Sequence, residues 1–178
     1  GWLLSRQVWS PFAASWREHH PEVELWCPDL PGFGNAERPS GLLPNLSAYG
    51  RWLAEQAIDK AQGRPFMLMG HSLGGSVVLH AEAHLRQLNQ PGLTGVVLLA
   101  AGGGIYQPRP FRRLRSFGRL ILELRPDALG QLPAPIGELG PFRAERRAAR
   151  GLLVNSTSRG AVRDLPGLVS DLGVESLW

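Results

Sequence analysis

The chain has 178 residues, 43% of them hydrophobic, and a formal net charge of +4, an ordinary balance for a globular chain that can bury a core. No apolar run approaches the roughly 20 residues that cross a bilayer, which excludes a transmembrane helix. Cys27 is the only cysteine, which excludes an intramolecular disulfide and fits a reducing, cytoplasmic setting.

The chain opens on "GWLLS" without an initiator Met and reads as processed or trimmed at its start. "VELWCPDL" (23–30) is rich in β-formers and ends at Pro-Asp and Pro-Gly, which predicts a strand leaving into a loop. "LSAYGRWLAEQAIDKA" predicts a helix with Ser47 as N-cap and Tyr49, Trp52, Leu53 and Ile58 on one face. "PFMLMG" (65–70) is wholly apolar, as a strand covered on both faces should be. "GGSVVLHAEAHLRQLNQ" predicts a helix closed by Pro91-Gly92, and "GVVLLAA" from Gly95 a second buried strand ending at Gly102-Gly103-Gly104. Strands alternating with helices argue for βαβ units and a parallel sheet.

After Gly104 the rhythm changes. "RPFRRLRSFGRLILEL" spaces Phe111, Leu114, Phe117, Ile121 and Leu124 as a helical stripe, with Arg on the other face. A Pro/Gly-rich stretch follows, then a second helical segment, "FRAERRAARGLLVNS", and finally "LGVESLW", which reads as the start of another strand. Residues 105–150 hold ten arginines against four carboxylates, so the basicity belongs to this insertion. Its confinement there makes nucleic acid a minor reading.

The chemistry centres on Gly70-His71-Ser72-Leu73-Gly74, a G-x-S-x-G pattern with a predicted strand before it and a predicted helix after it. In that setting the serine sits on a sharp, strained turn. Its flanking glycines allow strand and helix to approach, and the helix N-terminus aims free N–H groups at the reacting oxygen. A serine nucleophile forms an acyl-enzyme, so esters, thioesters and activated amides are its natural substrates.

At these residues the chain resembles the α/β-hydrolase superfamily. "GHSLGG" looks like its nucleophile elbow, "DLPGFG" (29–34) like the loop after its fourth strand, and the initial "GW" like the end of its His-Gly-Trp loop. The resemblance implies an incomplete α/β-hydrolase fold. Residues 1–104 would be the core, 105–170 a helical lid and 171–178 the start of the next core strand. It implies Ser72 as nucleophile and the backbone N–H groups of Trp2 and Leu73 as the oxyanion hole. Phe111, Leu114, Phe117 and Ile121 would be lid residues facing the substrate or the core. Within the superfamily the pattern is similar to carboxylic-ester hydrolases, including those acting on esters held by acyl carrier protein, and to C–C hydrolases and thioesterases. No cofactor is implied. The Arg face of the lid could dock an acidic carrier protein or an anionic surface.

The family's chain order is Ser, acid, His. All five histidines here, His19, His20, His71, His80 and His84, lie before or within the helix after Ser72. His80 and His84 are spaced for one helix face, read as exposed, without a third metal ligand. The expectation is a fragment whose catalytic acid and base lie beyond residue 178. The competing reading is a binding protein of the same fold that has no base. The resemblance also places a strand between residues 23–26 and 66–69 that would end just before Gly1. With strands about 4.8 Å apart, those two segments should stand about 10 Å apart and unpaired.

Overall fold

The computed structural model describes residues 1–101, 107–123 and 144–177, apart from the side chains of 175–177. The expected boundary at 104/105, the Gly102–Gly104 run, Leu124, the Pro/Gly-rich stretch and Trp178 lie outside the described residues.

A short 3-10 turn (Arg6–Trp9) leads into α1 (Ser10–His19). The chain then runs through α2 (Leu46–Ala61), β1 (Phe66–His71), α3 (Leu73–Gln87) and β2 (Leu93–Leu99). After that come α4 (Pro108–Glu123), α5 (Arg146–Ser156), α6 (Arg159–Ser170) and β3 (Glu175–Leu177). The three strands form a parallel sheet in the order β1-β2-β3, with Met69 opposite Val97 and Val97 opposite Leu177. Parallel neighbours need a crossover, and α3 supplies the one between β1 and β2.

The core lies between one face of this sheet and helices α2 and α3. Leu68, Val96 and Leu98 point into it, against Val77, Val78, Leu79, Leu85, Tyr49 and Leu53. The expectation that β1 is covered on both faces fails. Its burial alternates, with Leu68 buried while Met67 and Met69 are 61% and 38% exposed. Leu99 is exposed as well, so an apolar strip runs along the open face.

The strand expected at 23–30 does not form. The stretch is extended but joins no ladder, and Val23 and Trp26 are exposed. β-propensity needs a neighbouring strand to be realised, and the only ladder of β1 among the described residues is the one with β2. Glu24 is held by side chains instead, its carboxylate meeting Lys60 and Arg64. Cys27 is half-buried here, and burial pushes its thiol up from the ordinary value.

Helix α2 begins two residues earlier than a Ser47 cap would start it. Asn45 is the N-cap, its Oδ1 accepting from Ala48 N at 2.8 Å. The reason is tertiary, because Leu46 is buried and its N–H donates to Asn155 Oδ1 of α5 at 2.8 Å. Small residues let α2 lie close on α3. A Cβ at Gly50 would collide with His80, and Ala54 and Ala57 are buried along the same face.

The stripe expected on α4 is out of phase. Leu114 and Phe117 are 43% and 60% exposed, Phe111 and Ile121 are half-buried, and the inward face runs through Gly118 and Leu122. Arg115 belongs to that inner side rather than to the basic face. Its guanidinium donates to the carbonyl and hydroxyl of Thr157 at 2.8 and 3.1 Å. Helix α6, which carries Pro166 inside it, is capped by Ser158, whose hydroxyl accepts from Ala161 N. No helix among the described residues is long and apolar enough to cross a membrane.

Candidate active site

The β1–β2 ladder continues to His71 opposite Leu99, and the N–H of Ser72 still donates to the carbonyl of Leu99 at 2.9 Å. One residue later the chain is helical, and the carbonyl of Ser72 accepts from Gly75 N at 3.0 Å. Changing from strand to helix within a single residue forces Ser72 to φ 53° and ψ −119°, a left-handed conformation that costs a non-glycine residue on the order of 1–3 kcal/mol. Ser72 stands at the N-cap of α3, yet its side chain makes no capping hydrogen bond. The hydroxyl is half-exposed where the free N–H groups and positive dipole end of a 15-residue helix converge.

The glycines around the serine have unequal roles. A Cβ on Gly70 would strike the carbonyl of Gly74 and come within 2.6 Å of Gly75 N, both backbone atoms. On Gly75 it would lie 2.6 Å from the Cβ of Ala101. On Gly74 it would meet nothing within 4 Å. The close approach expected of the two motif glycines is therefore made by Gly70 and Gly75.

Leu73 opens α3, so helical geometry leaves its N–H without an intrahelical acceptor. The turn carrying Trp2 lies beside the residue before Ser72, since a Cβ on Gly1 would lie 3.6 Å from His71 Nδ1. His71 itself is held below the ordinary histidine range by burial. The indole of Trp2 donates to the carbonyl of Ala149 on α5 at 2.8 Å. The Gly1–Trp2 turn thus lies beside His71, the residue before Ser72. Of the α4 residues, Phe111 and Ile121 are partly inward and Leu114 and Phe117 are not.

The loop at 29–34 is fixed by contacts that sequence reasoning did not foresee. The carboxylate of Asp29 accepts the backbone N–H groups of Arg6 at 2.6 Å and Asn35 at 3.1 Å. The hydroxyl of Tyr49 donates to the carbonyl of Pro31 at 2.6 Å, and burial pushes that phenol up to about 12. Arg38 grips Glu145 at the start of α5. The Asp29 role has a local signal in Asp-Leu-Pro-Gly, a turn sequence; the Arg38 contact spans 107 positions and has none.

His80 is half-buried against α2 rather than exposed as expected, its Nε2 buried without a partner. Among the described residues no group of three or more His, Cys, Asp or Glu could hold a metal ion. Two open hollows, of about 630 and 770 Å³, lie beside Cys27 and beside Arg38; Ser72 lines neither. The backbone geometry, not a hollow, is what marks Ser72.

A family model described as "Alpha/beta hydrolase family" matches residues 1–176. The chain is 36% identical over 103 residues to "Pimeloyl-[acyl-carrier protein] methyl ester esterase" of Xylella fastidiosa strains M12 and M23, covering 57% of this chain and 34% of each relative. It therefore spans about a third of the length of these curated relatives. Among solved structures it is similar to an esterase from Exiguobacterium antarcticum, with a TM-score of 0.72 at 15% identity over 99% of this chain and 69% of the other. It is also similar to MenH from S. aureus, with a TM-score of 0.66 at 17% identity over 99% and 70%. At these identities the structural likeness establishes the fold.

Proposed function

Because the chain belongs to the α/β-hydrolase family, we propose that it serves as a serine hydrolase, cleaving a carboxylic ester or thioester through an acyl-enzyme on Ser72. The observation that carries this reading is the left-handed Ser72 between β1 and α3, its hydroxyl free of the helix it begins. Attack of Ser72 Oγ on the carbonyl carbon creates a tetrahedral oxyanion. The backbone N–H groups of Trp2 and Leu73 receive that charge, with the dipole of α3 behind them. Collapse expels the alcohol or thiol, and water then hydrolyses the acyl-serine.

A general base is required. His80 and His84 stand eight and twelve residues along α3 from Ser72, about 12 and 18 Å at helical rise. In this reading neither of these two histidines is the base. Helices α4 to α6 act as the lid, and the exposed Leu114 and Phe117, with Phe111 and Ile121, are available to an acyl chain. Arg109, Arg112, Arg113 and Arg119 are exposed on α4. They suit an acidic partner, and the name of the Xylella relatives suggests an acyl carrier protein. A reducing compartment such as the cytoplasm agrees with the lone Cys27.

A fluorophosphonate probe tests the assignment. It should label the full-length protein and leave Ser72→Ala unlabelled. Equal labelling of the two removes Ser72 as nucleophile, and no labelling of either favours a binding protein of the same fold.

A further inference from the structure

The side chain of Trp2 is wedged between two helices that are distant from it in sequence. Its indole N–H donates to the carbonyl of Ala149 on α5 at 2.8 Å, across 147 positions. Its six-membered ring lies against α4 at Gly118. A Cβ there would come 2.9 Å from Trp2 Cη2 and 3.5 Å from Cζ2, and would collide with Leu153 of α5 on its other side. Gly118 is one of only two buried residues on α4, so the contact sits where that helix is most closely packed. The residue before this Trp2, Gly1, lies beside the side chain of His71, which precedes Ser72.

From this arrangement we infer that the placement of α4 and α5 is transmitted to the oxyanion hole through the Trp2 indole, with Gly118 and the Ala149 carbonyl as positioning elements. The inference rests on the reading of Ser72 as nucleophile and Trp2 N–H as an oxyanion donor. A residue has one backbone frame, so a ring pinned at its N–H and at its far edge constrains the N–H of its own peptide. A shift of α4 toward Trp2 pushes the ring, and a shift of α5 breaks the 2.8 Å hydrogen bond. Either moves a donor whose value depends on its aim at the developing oxyanion rather than at the ground-state carbonyl. Lid movement would then change the rate of the chemical step as well as access to the site.

The distinguishing property is non-additivity. Gly118→Ala adds a methyl group against Leu153 and 2.9 Å and 3.5 Å from Cη2 and Cζ2 of Trp2, and Trp2→Phe deletes both Trp2 atoms together with the indole N–H. A double-mutant cycle on the full-length protein, with p-nitrophenyl butyrate as substrate and kcat expressed per serine titrated by fluorophosphonate, reads the coupling. Gly118→Ala should lower kcat about tenfold with KM changed less than about threefold, because a displaced donor weakens the transition state alone. In the Trp2→Phe background the same substitution should change kcat less than about twofold. Trp2→Phe by itself should lower kcat by about five- to tenfold, since it releases the ring from α5.

An equal factor for Gly118→Ala in both backgrounds overturns the inference. So does wild-type kcat in Trp2→Phe, a variant that adds no bulk and reports even if Gly118→Ala does not fold. Failure of the underlying reading looks different: the wild-type protein and Ser72→Ala would label alike before any cycle is measured.

Discussion

Arg38 and Glu145 meet through a two-pronged ion pair, Nε to Oε2 at 2.6 Å and Nη2 to Oε1 at 2.7 Å. The guanidinium also donates to the carbonyl of Leu42, and Glu145 N donates to the carbonyl of Gly32 at 2.7 Å. The loop that follows Asp29 is thereby fastened to the first residues of α5. The Arg38 side chain is only 7% exposed whereas that of Glu145 is 38%, so the pair falls between surface and buried behaviour. Arg38→Ala should cost about 1–2 kcal/mol, and Arg38→Lys nearly as much, because an ammonium cannot reproduce the fork. At this chain length that is a fall in Tm of about 2–8 °C. The hydrogen bonds from Arg38 hold Glu145 below its ordinary value of 4.5. Its stabilising contribution is complete above that value and disappears as pH falls through the lower, folded one. Denaturant titrations at pH 7 and pH 3 check this, since the gap between wild type and Arg38→Ala should narrow in acid. A gap that is equal at both pH values would show the pair to be energetically idle.

His80 lies where α3 packs on α2, with its Cβ and backbone against Gly50, and the buried Nε2 of its imidazole has no hydrogen-bond partner. Burial lowers its pKa from 6.5, while Asp164 on α6 opposes the shift more weakly. The unfolded chain therefore binds the proton more tightly than the folded one, and stability rises with pH. The contribution is complete above about 6.5 and is lost as pH falls through the unfolded value toward the folded one. His80→Gln, which cannot titrate, should flatten the dependence of unfolding free energy on pH between 5 and 7. Parallel wild-type and variant curves would mean that His80 is solvated in both states.

Legibility in the sequence followed the range of the interactions. β1, α3 and β2 carry their own signals, an apolar run, a glycine turn and an amphipathic helix, and each forms within two or three residues of its expected place. The Ser72 turn was legible for the same reason, as strand, glycine, serine and helix are contiguous. Where a distant partner decides, the local reading goes astray. On α4 an apolar stripe through Leu114 and Phe117 looked inward, but Trp2 and Leu153 claim the face at Gly118, and Thr157 draws Arg115 inside. The N-cap moved from Ser47 to Asn45 because Asn155, 109 positions away from Leu46, takes the Leu46 N–H. Residues 23–30 have strand composition and, among the described residues, no strand paired with them. Helix α6 was not singled out within the expected helical lid; Pro166 removes one N–H from its ladder, and Val162 and Leu165 bury its inner face.

The strain at Ser72 predicts a conflict between stability and activity. The φ of 53° is imposed by the ladder on one side, through Ser72 N to Leu99 O, and by the first turn of α3 on the other, through Gly75 N to Ser72 O. Ser72→Gly keeps both hydrogen bonds and removes the Cβ that makes this conformation costly. The relief of about 1–3 kcal/mol is partly offset by the extra freedom glycine gains when unfolded, about 1 kcal/mol, so the net effect should be stabilisation of about 1 kcal/mol. Ser72→Ala keeps the Cβ and should leave stability within about 0.5 kcal/mol of wild type. The neighbouring glycines supply the control. Gly70→Ala drives a methyl group into backbone of the α3 first turn that cannot step aside, and should cost about 3 kcal/mol or more. Gly74→Ala enters open space on a helix and should be neutral or stabilising by up to about 1 kcal/mol. Thermal unfolding of the four variants gives the order Ser72→Gly above wild type, Ser72→Ala level with it, Gly74→Ala level or above, and Gly70→Ala far below. If Ser72→Gly is no more stable than Ser72→Ala, the turn is relaxed and its shape is not held at the expense of stability.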